Sequence, residues 1–143
     1  MIKCLVVDDE PLAREAIKVY IEKMPELELM DECENALQAI ACLRKDHADL
    51  IFLDIEMPEI DGISFLQMLK NIPGIIFTTA YRNYAVDAFD LDVIDFLLKP
   101  ISFDRFVAAV NKYYERSNKA LQFQTDVKQE RVKYLNVKAN RKT

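Results

Sequence analysis

Five side chains that could bind metal or phosphate stand at the ends of short apolar runs. Asp8 and Asp9 follow the first run, Asp54 ends the third, Thr79 follows the fourth and Lys99 follows the fifth. Carboxylate oxygens are ligands that Mg²⁺ prefers, and a carboxylate can act as a nucleophile when nearby positive charge offsets its own. If these side chains converge, they predict a phosphoryl-transfer site.

Four of these residues also have simpler explanations when each is taken alone. The acidic pair could cap a helix, which stabilises it by about 0.3 to 1 kcal/mol per charge. Thr79 could end a strand, and Lys99 could be a surface charge beside a proline. Asp54 is harder to explain in this way, because like charges about 4 Å apart repel by about 4 kcal/mol at an effective dielectric constant of 20. Its position therefore favours a functional role.

The elements that must position these residues alternate along the chain. Apolar runs of strand length alternate with stretches in which apolar residues recur at helical spacing. The predicted strands are Ile2–Val7, Leu27–Glu32, Leu50–Leu53, Ile75–Thr78 and Ile94–Leu98. The predicted helices are Pro11–Met24, Ala36–Arg44, Ile63–Leu69, Tyr84–Phe89 and Phe103–Tyr114.

This alternation predicts a doubly wound α/β fold with a five-stranded parallel sheet, since a parallel connection needs a crossover and a helix is the usual one. In such folds the working crevice lies beyond the carboxyl ends of the strands. The five polar residues occupy these ends. In the loop after Asp54, Gly62 is one of only two glycines, which indicates a special backbone requirement there.

Composition predicts one domain with a short appendage. The chain has 143 residues, of which 51% are hydrophobic. Its three cysteines, Cys4, Cys33 and Cys42, form no CxxC pair, so no disulfide framework or zinc site is indicated and a reducing cytoplasm is expected. No apolar run approaches the ~20 residues of a membrane span.

Charge is divided unevenly between two parts of the chain. Residues 1–117 contain 12 Lys or Arg and 22 Asp or Glu, whereas residues 118–143 contain 7 and 2. This predicts a domain at 1–117 and a basic tail at 118–143. On composition alone, the tail is expected to be a solvated, disordered extension.

The segments LVVDDE, IFLDIEMPEIDG, FTTAY and FLLKP, in this order, resemble the receiver domains of bacterial two-component response regulators. The resemblance covers residues 1–117 and implies a flavodoxin-like fold. It implies that Asp54 accepts a phosphoryl group from the phosphohistidine of a sensor histidine kinase. It also implies a signalling domain that promotes only its own phosphorylation and dephosphorylation.

The same resemblance implies a magnesium site. Asp9 and Asp54 would bind Mg²⁺ together with the backbone carbonyl of Glu56, and Asp8 would assist, mostly through water. These assignments depend on the family pattern and not on spacing alone.

The resemblance further implies a switch. Lys99 would pair with the phosphoryl group, Thr79 would hydrogen-bond it, and Phe96 would be the rotating aromatic residue, here without the hydroxyl of the tyrosine often found there. The Lys99–Pro100 peptide would be cis. Phosphorylation would favour a homodimer through the last two predicted helices and the fifth strand, and so control transcription.

The tail segment VKYLNVKANRKT resembles the linker and first strand of a LytTR-type DNA-binding domain, and its apolar residues are interleaved with polar ones from Val132 to Val137, which predicts a strand. Such an output domain would be truncated in this chain. DNA binding would therefore occur only through the missing part.

Three other classes remain as alternatives. A haloacid-dehalogenase-type phosphatase also uses an aspartate nucleophile and Mg²⁺, but its D-x-D motif follows the first strand. A nucleotide- or flavin-binding module requires a phosphate loop where VVDDEPLA places carboxylates. A receiver-like domain that acts only by protein contact is the third, and the complete acidic, Thr and Lys set disfavours it.

Overall fold

The part of the chain that the structure describes contains five strands and four helices, which alternate as far as the fourth strand. The structure is a computed structural model that describes residues 1–82 and 91–140. The elements are β1 (Ile2–Val7), α1 (Pro11–Lys23), β2 (Leu27–Cys33), α2 (Ala36–Lys45), β3 (Leu50–Asp54), α3 (Gly62–Met68), β4 (Gly74–Thr79), β5 (Asp95–Leu98) and α4 (Phe103–Asn140). The predicted helix Tyr84–Phe89 lies outside the described residues.

The five strands form one parallel sheet in the order β2-β1-β3-β4-β5. The predicted doubly wound fold is therefore confirmed. The chain moves outward from β1 to β2 and then returns to the other side of β1 to form β3. The strand order reverses between β1 and β3, so the crevice expected for this fold lies beyond their carboxyl ends.

Both faces of the sheet are covered by helices, and each face has its own core. On one face, Ala39 of α2 and Phe65 of α3 pack in a cluster with Leu53 of β3. On the other, Ile17 of α1 and Phe106 of α4 pack in a second cluster. All five residues of β3 are buried, which explains why this central strand is a continuous apolar run up to its final aspartate.

The C-terminal helix α4 differs from the sequence prediction. It continues past Tyr114 to Asn140, so the strand predicted over Val132–Val137 is wrong. A strand requires a neighbour for its backbone hydrogen bonds, whereas a helix satisfies its own, and every strand in the described residues belongs to the one sheet. No proline or glycine interrupts the chain after Pro100. Every described side chain between residues 118 and 133 is exposed.

The length of α4 raises the question of a membrane span. Its 38 residues exceed the ~20 that a bilayer requires. However, none of the described helices combines that length with sufficient apolar character.

Candidate functional site

Two buried carboxylates and one ammonium group meet at the carboxyl edge of the sheet. Asp8 follows β1 and Asp54 ends β3, and each is only 1% exposed. The Nζ atom of Lys99, which follows β5, lies 3.0 Å from Oδ2 of Asp8 and 3.5 Å from Oδ1 of Asp54. The structure thus brings together residues that are 91 positions apart in the chain.

The backbone around Asp8 is held by a buried arginine that sequence analysis did not identify. Nη1 of Arg14, in the first turn of α1, donates to the backbone oxygen of Asp8 at 2.7 Å. The guanidinium also pairs with Glu32 of β2, through Nε at 3.2 Å. Oδ1 of Asp8 in turn accepts from the backbone N–H of Glu10 at 2.9 Å. These contacts fix the backbone oxygen and the carboxylate of Asp8 at the carboxyl edge of the sheet.

The charges in the crevice alter the protonation of its members. Burial and the neighbouring Asp8 carboxylate raise the pKa of Asp54 to about 9, although Lys99 acts in the opposite direction. Burial lowers the pKa of Lys99, but its contacts with Asp8 and Glu10 outweigh this effect and raise it above its ordinary value. The single ammonium group of Lys99 therefore offsets only part of the negative charge in the crevice.

The acidic residues at this edge fit a divalent cation. Asp8, Asp9, Glu10 and Asp54 each offer a carboxylate oxygen, and these oxygens lie within 4.8 Å of one another. Oδ2 of Asp54 is buried and has no hydrogen-bond partner among the described residues. Such an oxygen requires a cation or a proton, and an all-oxygen donor set suits Mg²⁺. Coordination by the backbone carbonyl of Glu56 stays a prediction.

Glu10 pairs with Lys99 and does not cap the helix that it precedes. It is the N-cap residue of α1, but its side chain makes no capping hydrogen bond. Instead, its Oε1 lies 3.0 Å from Nζ of Lys99. This contact spans 89 positions of the chain, so local sequence rules do not reveal it.

Thr79 ends β4 and is 3% exposed, and its hydroxyl is engaged by a carboxylate. The Oγ1 of Thr79 donates to Oε1 of Glu56 at 2.6 Å. The backbone N–H of Ala80 donates to the same oxygen at 3.0 Å. The sequence pattern assigned Glu56 only a backbone role, because nothing in it indicates where the side chain points.

The remaining predicted residues lie on β5 or directly after it. The backbone N–H of Lys99 donates to the backbone oxygen of Thr79 at 2.7 Å, and the Lys99–Pro100 peptide is cis. The ring of Phe96 is half-buried and stacks against Phe77 of β4, with 5.5 Å between ring centroids. Phe96 therefore lies on a strand that is directly hydrogen-bonded to the strand of Thr79.

Gly62 is required for close approach and not for an unusual backbone conformation. A Cβ at this position would lie 2.3 Å from the backbone oxygen of Asp54. The backbone N–H of Gly62 donates to Ile55 at 2.8 Å. No glycine in the described residues has a positive φ, whereas Glu59 in the same loop has a φ of 69°. The loop thus packs directly against the end of β3.

Comparison with known proteins gives a family match. The family model for the response regulator receiver domain matches residues 4–111 of this chain. The solved response regulatory domain of protein mrkE from Klebsiella pneumoniae has a TM-score of 0.74 and 29% identity, with 82% of this chain and 99% of that chain covered. The family match includes β2 to β5 in full and all but the first two residues of β1.

Curated relatives give the same result. The transcriptional regulatory protein BtsR of Escherichia coli (strain K12) is 46% identical over 103 residues, covering 71% of this chain and 43% of BtsR. The sensory transduction protein LytT of Bacillus anthracis is 37% identical over 131 residues, covering 90% of this chain and 53% of LytT. This chain thus spans about half the length of these relatives. By these matches, the chain belongs to the response regulator receiver domains of two-component systems.

Proposed function

We propose that Asp54 is the phosphoacceptor of this receiver domain and that a sensor histidine kinase is the donor. The observation that carries this proposal is the buried Oδ2 of Asp54, which has no hydrogen-bond partner among the described residues. A carboxylate oxygen left free at the end of a buried strand, with an ammonium group 3.5 Å from its other oxygen, is positioned to act as a nucleophile.

The reaction is a displacement at phosphorus. An oxygen of Asp54 forms a bond to the phosphorus of the donor phosphohistidine as the phosphorus–nitrogen bond breaks. The imidazole leaves with the electron pair of that bond and takes a proton from solvent. Lys99 offsets the charge of Asp54 and of the incoming phosphoryl oxygens, which lowers the repulsion between two anions.

Mg²⁺ would be held by Asp9, Asp54 and the backbone carbonyl of Glu56, with Asp8 assisting mostly through water. When bound, Mg²⁺ would supply charge neutralisation and an additional ligand position for a phosphoryl oxygen. The cluster of four acidic residues supports this assignment. The domain would promote only its own phosphorylation and dephosphorylation, and so would act as a signalling domain and not as a turnover enzyme.

The kinase would dock beside the crevice. An apolar groove of about 500 Å³ lies there, and its lining includes Leu12 and Ala16 of α1 together with Pro100 and Ile101. Leu12 is 87% exposed, so its side chain is accessible to a partner. A helical segment that carries the phosphohistidine could cover this groove. We place the reaction in the cytoplasm, where free cysteines such as the three in this chain persist.

The output would be a change in surface. A phosphoryl group brings about −1.5 to −2 charge and new acceptor oxygens, which Thr79 would satisfy by moving inward. Phe96 would then occupy the vacated space and alter the face that β5 and α4 share, favouring a homodimer. We propose that residues 1–117 form the receiver and that transcription is controlled through a DNA-binding output region beyond it.

The test uses a small-molecule donor. The protein is incubated with acetyl phosphate and Mg²⁺, and intact mass is measured for the wild type, Asp54→Asn and the exposed control Glu59→Gln. We expect one phosphoryl group on the wild type and on the control, and none on Asp54→Asn, because an amide is a poor nucleophile. Equal labelling of Asp54→Asn would remove Asp54 from its role. Absence of labelling in the wild type would favour a domain that acts by protein contact alone.

A further inference from the structure

The carboxylate of Glu56 accepts the hydrogen bond of the Thr79 hydroxyl, which a phosphoryl group on Asp54 would need. Its Oε1 accepts two hydrogen bonds, from the Thr79 hydroxyl at 2.6 Å and from the Ala80 N–H at 3.0 Å. Hydrogen bonds to an ionised acceptor are shorter and stronger than those between neutral groups. The loop after β4 is therefore tied to the loop after β3.

The hydroxyl of Thr79 has no second proton to offer. A threonine hydroxyl donates one hydrogen bond and accepts others. Here Oγ1 of Thr79 accepts a hydrogen bond from the backbone N–H of Tyr81 at 3.0 Å. The backbone oxygen of Tyr81, at 3.2 Å, is a more distant acceptor for the proton than Glu56. The Thr79 hydroxyl can donate to a phosphoryl oxygen only after it turns away from Glu56 and from the backbone oxygen of Tyr81.

The two oxygens of the Glu56 carboxylate differ in their hydrogen bonding. Oε2 of Glu56 is buried and has no hydrogen-bond partner among the described residues. A buried charged oxygen without a partner is unfavourable, so this arrangement is not explained by stability alone. It also places a negative charge next to the crevice that a phosphoryl dianion would enter.

We propose that the Glu56 side chain is a positioning residue that holds Thr79 in the resting receiver and opposes its transfer to a phosphoryl group on Asp54. This inference rests on the proposed function. The carboxylate and the phosphoryl group compete for one hydroxyl proton, and the two anions repel each other. Glu56 therefore sets how readily the domain enters its activated state, separately from any metal contact through its backbone carbonyl.

The first test measures the affinity for beryllofluoride, a mimic of the phosphoryl group, at fixed Mg²⁺ by isothermal titration calorimetry. The variants are Glu56→Ala, Glu56→Gln and the control Glu59→Gln, each in the wild-type and Thr79→Ala backgrounds. We expect Glu56→Ala to bind about tenfold more tightly than the wild type, because a hydrogen bond to a charged group no longer has to be broken. Glu56→Gln, which keeps an acceptor without charge, should gain less, and Glu59→Gln should match the wild type.

The Thr79→Ala background separates the hydroxyl contact from simple charge. If Glu56 acts by holding the hydroxyl, most of the gain from Glu56→Ala disappears in that background. An equal gain in both backgrounds would overturn the inference, as would an affinity in Glu56→Ala no higher than that of the wild type. A wild type that takes up no beryllofluoride would overturn the proposed function and this inference together.

A second measurement requires no metal or phosphoryl mimic. Hydrogen exchange of the Ala80 amide is followed by NMR in metal-free protein. Loss of the acceptor in Glu56→Ala should speed this exchange several-fold, while Glu56→Gln should largely retain protection. Unchanged exchange in Glu56→Ala would show that the contact does not hold the loop in solution and would overturn the inference even if beryllofluoride binding changed.

Discussion

The ammonium nitrogen of Lys99 lies 3.5 Å from Oδ1 of Asp54, although β5, which Lys99 follows, and β3, which Asp54 ends, are separated in the sheet by β4. Lys99 reaches across the end of β4, and its side chain is only 13% exposed. It offsets part of the charge of Asp8 and Asp54 at once. The crevice therefore keeps an excess of negative charge that affects both stability and metal binding.

Replacing Asp54 by asparagine should stabilise the metal-free protein, and more so at high pH. The folded-state pKa of Asp54 is raised to about 9. The stability associated with its protonated form is therefore complete below the unfolded pKa of about 4, and is lost as pH rises towards 9. In urea unfolding with a chelator, we expect Asp54→Asn to exceed the wild type by about 1 to 3 kcal/mol at pH 8 and by less at pH 5. An equal difference at both pH values would contradict this explanation.

Added Mg²⁺ should raise the thermal stability of the wild type, because a ligand that binds only the folded state stabilises it by mass action. Asp9→Asn removes one carboxylate from the acidic cluster and should weaken this effect. Glu22→Gln makes the same charge change at an exposed site on α1 and should leave the stabilisation by Mg²⁺ intact. Thermal melts over a range of Mg²⁺ concentrations test this. The same Mg²⁺ response in both variants would place the cation elsewhere.

Gly62→Ala should destabilise the fold. The added Cβ would lie 2.3 Å from the backbone oxygen of Asp54, so one of the two segments must move. Overpacking of this kind costs about 1 to 3 kcal/mol. The exposed control Gln67→Ala, in the same helix α3, should change the free energy of unfolding by less than about 0.5 kcal/mol. Urea unfolding measures both, and a Gly62→Ala variant as stable as the control would show that the loop relaxes freely.

Beryllofluoride with Mg²⁺ should promote dimerisation of the wild type and much less of Thr79→Ala. A ligand shifts an equilibrium only by its different affinity for the two states, and we assign that difference to the hydroxyl at position 79. Thr79→Ser keeps the hydroxyl and should retain the response. Sedimentation velocity measures the dimer fraction of the wild type and of each variant. An equal dimer fraction in Thr79→Ala and the wild type would eliminate the hydroxyl as the coupling group.

The sheet and its polar edge were predictable because each element carried a local signal. The five apolar runs end close to where the strands end, and the topology of a parallel sheet then places Asp8, Asp54 and Lys99 at one edge. The contacts of Glu10 and Glu56 were not predictable. Both depend on side-chain direction across long sequence separations, and no sequence pattern encodes this.

The secondary structure of the tail was predicted incorrectly for a related reason. The strand was predicted from the mixture of apolar and polar residues over the six positions from Val132 to Val137. Tyr134 and Leu135 are both apolar and break the alternation, so a period of two is only weakly supported. The helix that precedes it continues because nothing in the sequence ends it. The requirement for Gly62 was recognised, but its cause was not, since only the packed loop reveals how near Asp54 lies.

The uninterrupted helix α4 fixes an angle as well as a distance. Each helical residue advances about 1.5 Å and turns about 100°, so the stretch from residue 118 to Asn140 spans about 35 Å and more than six turns. One residue inserted between positions 118 and 133 would rotate any group attached beyond Asn140 by about 100°. Seven inserted residues would restore its orientation to within about 20° while moving it about 10 Å farther away. The rotational phase of this helix is therefore a property that can be changed independently of its length.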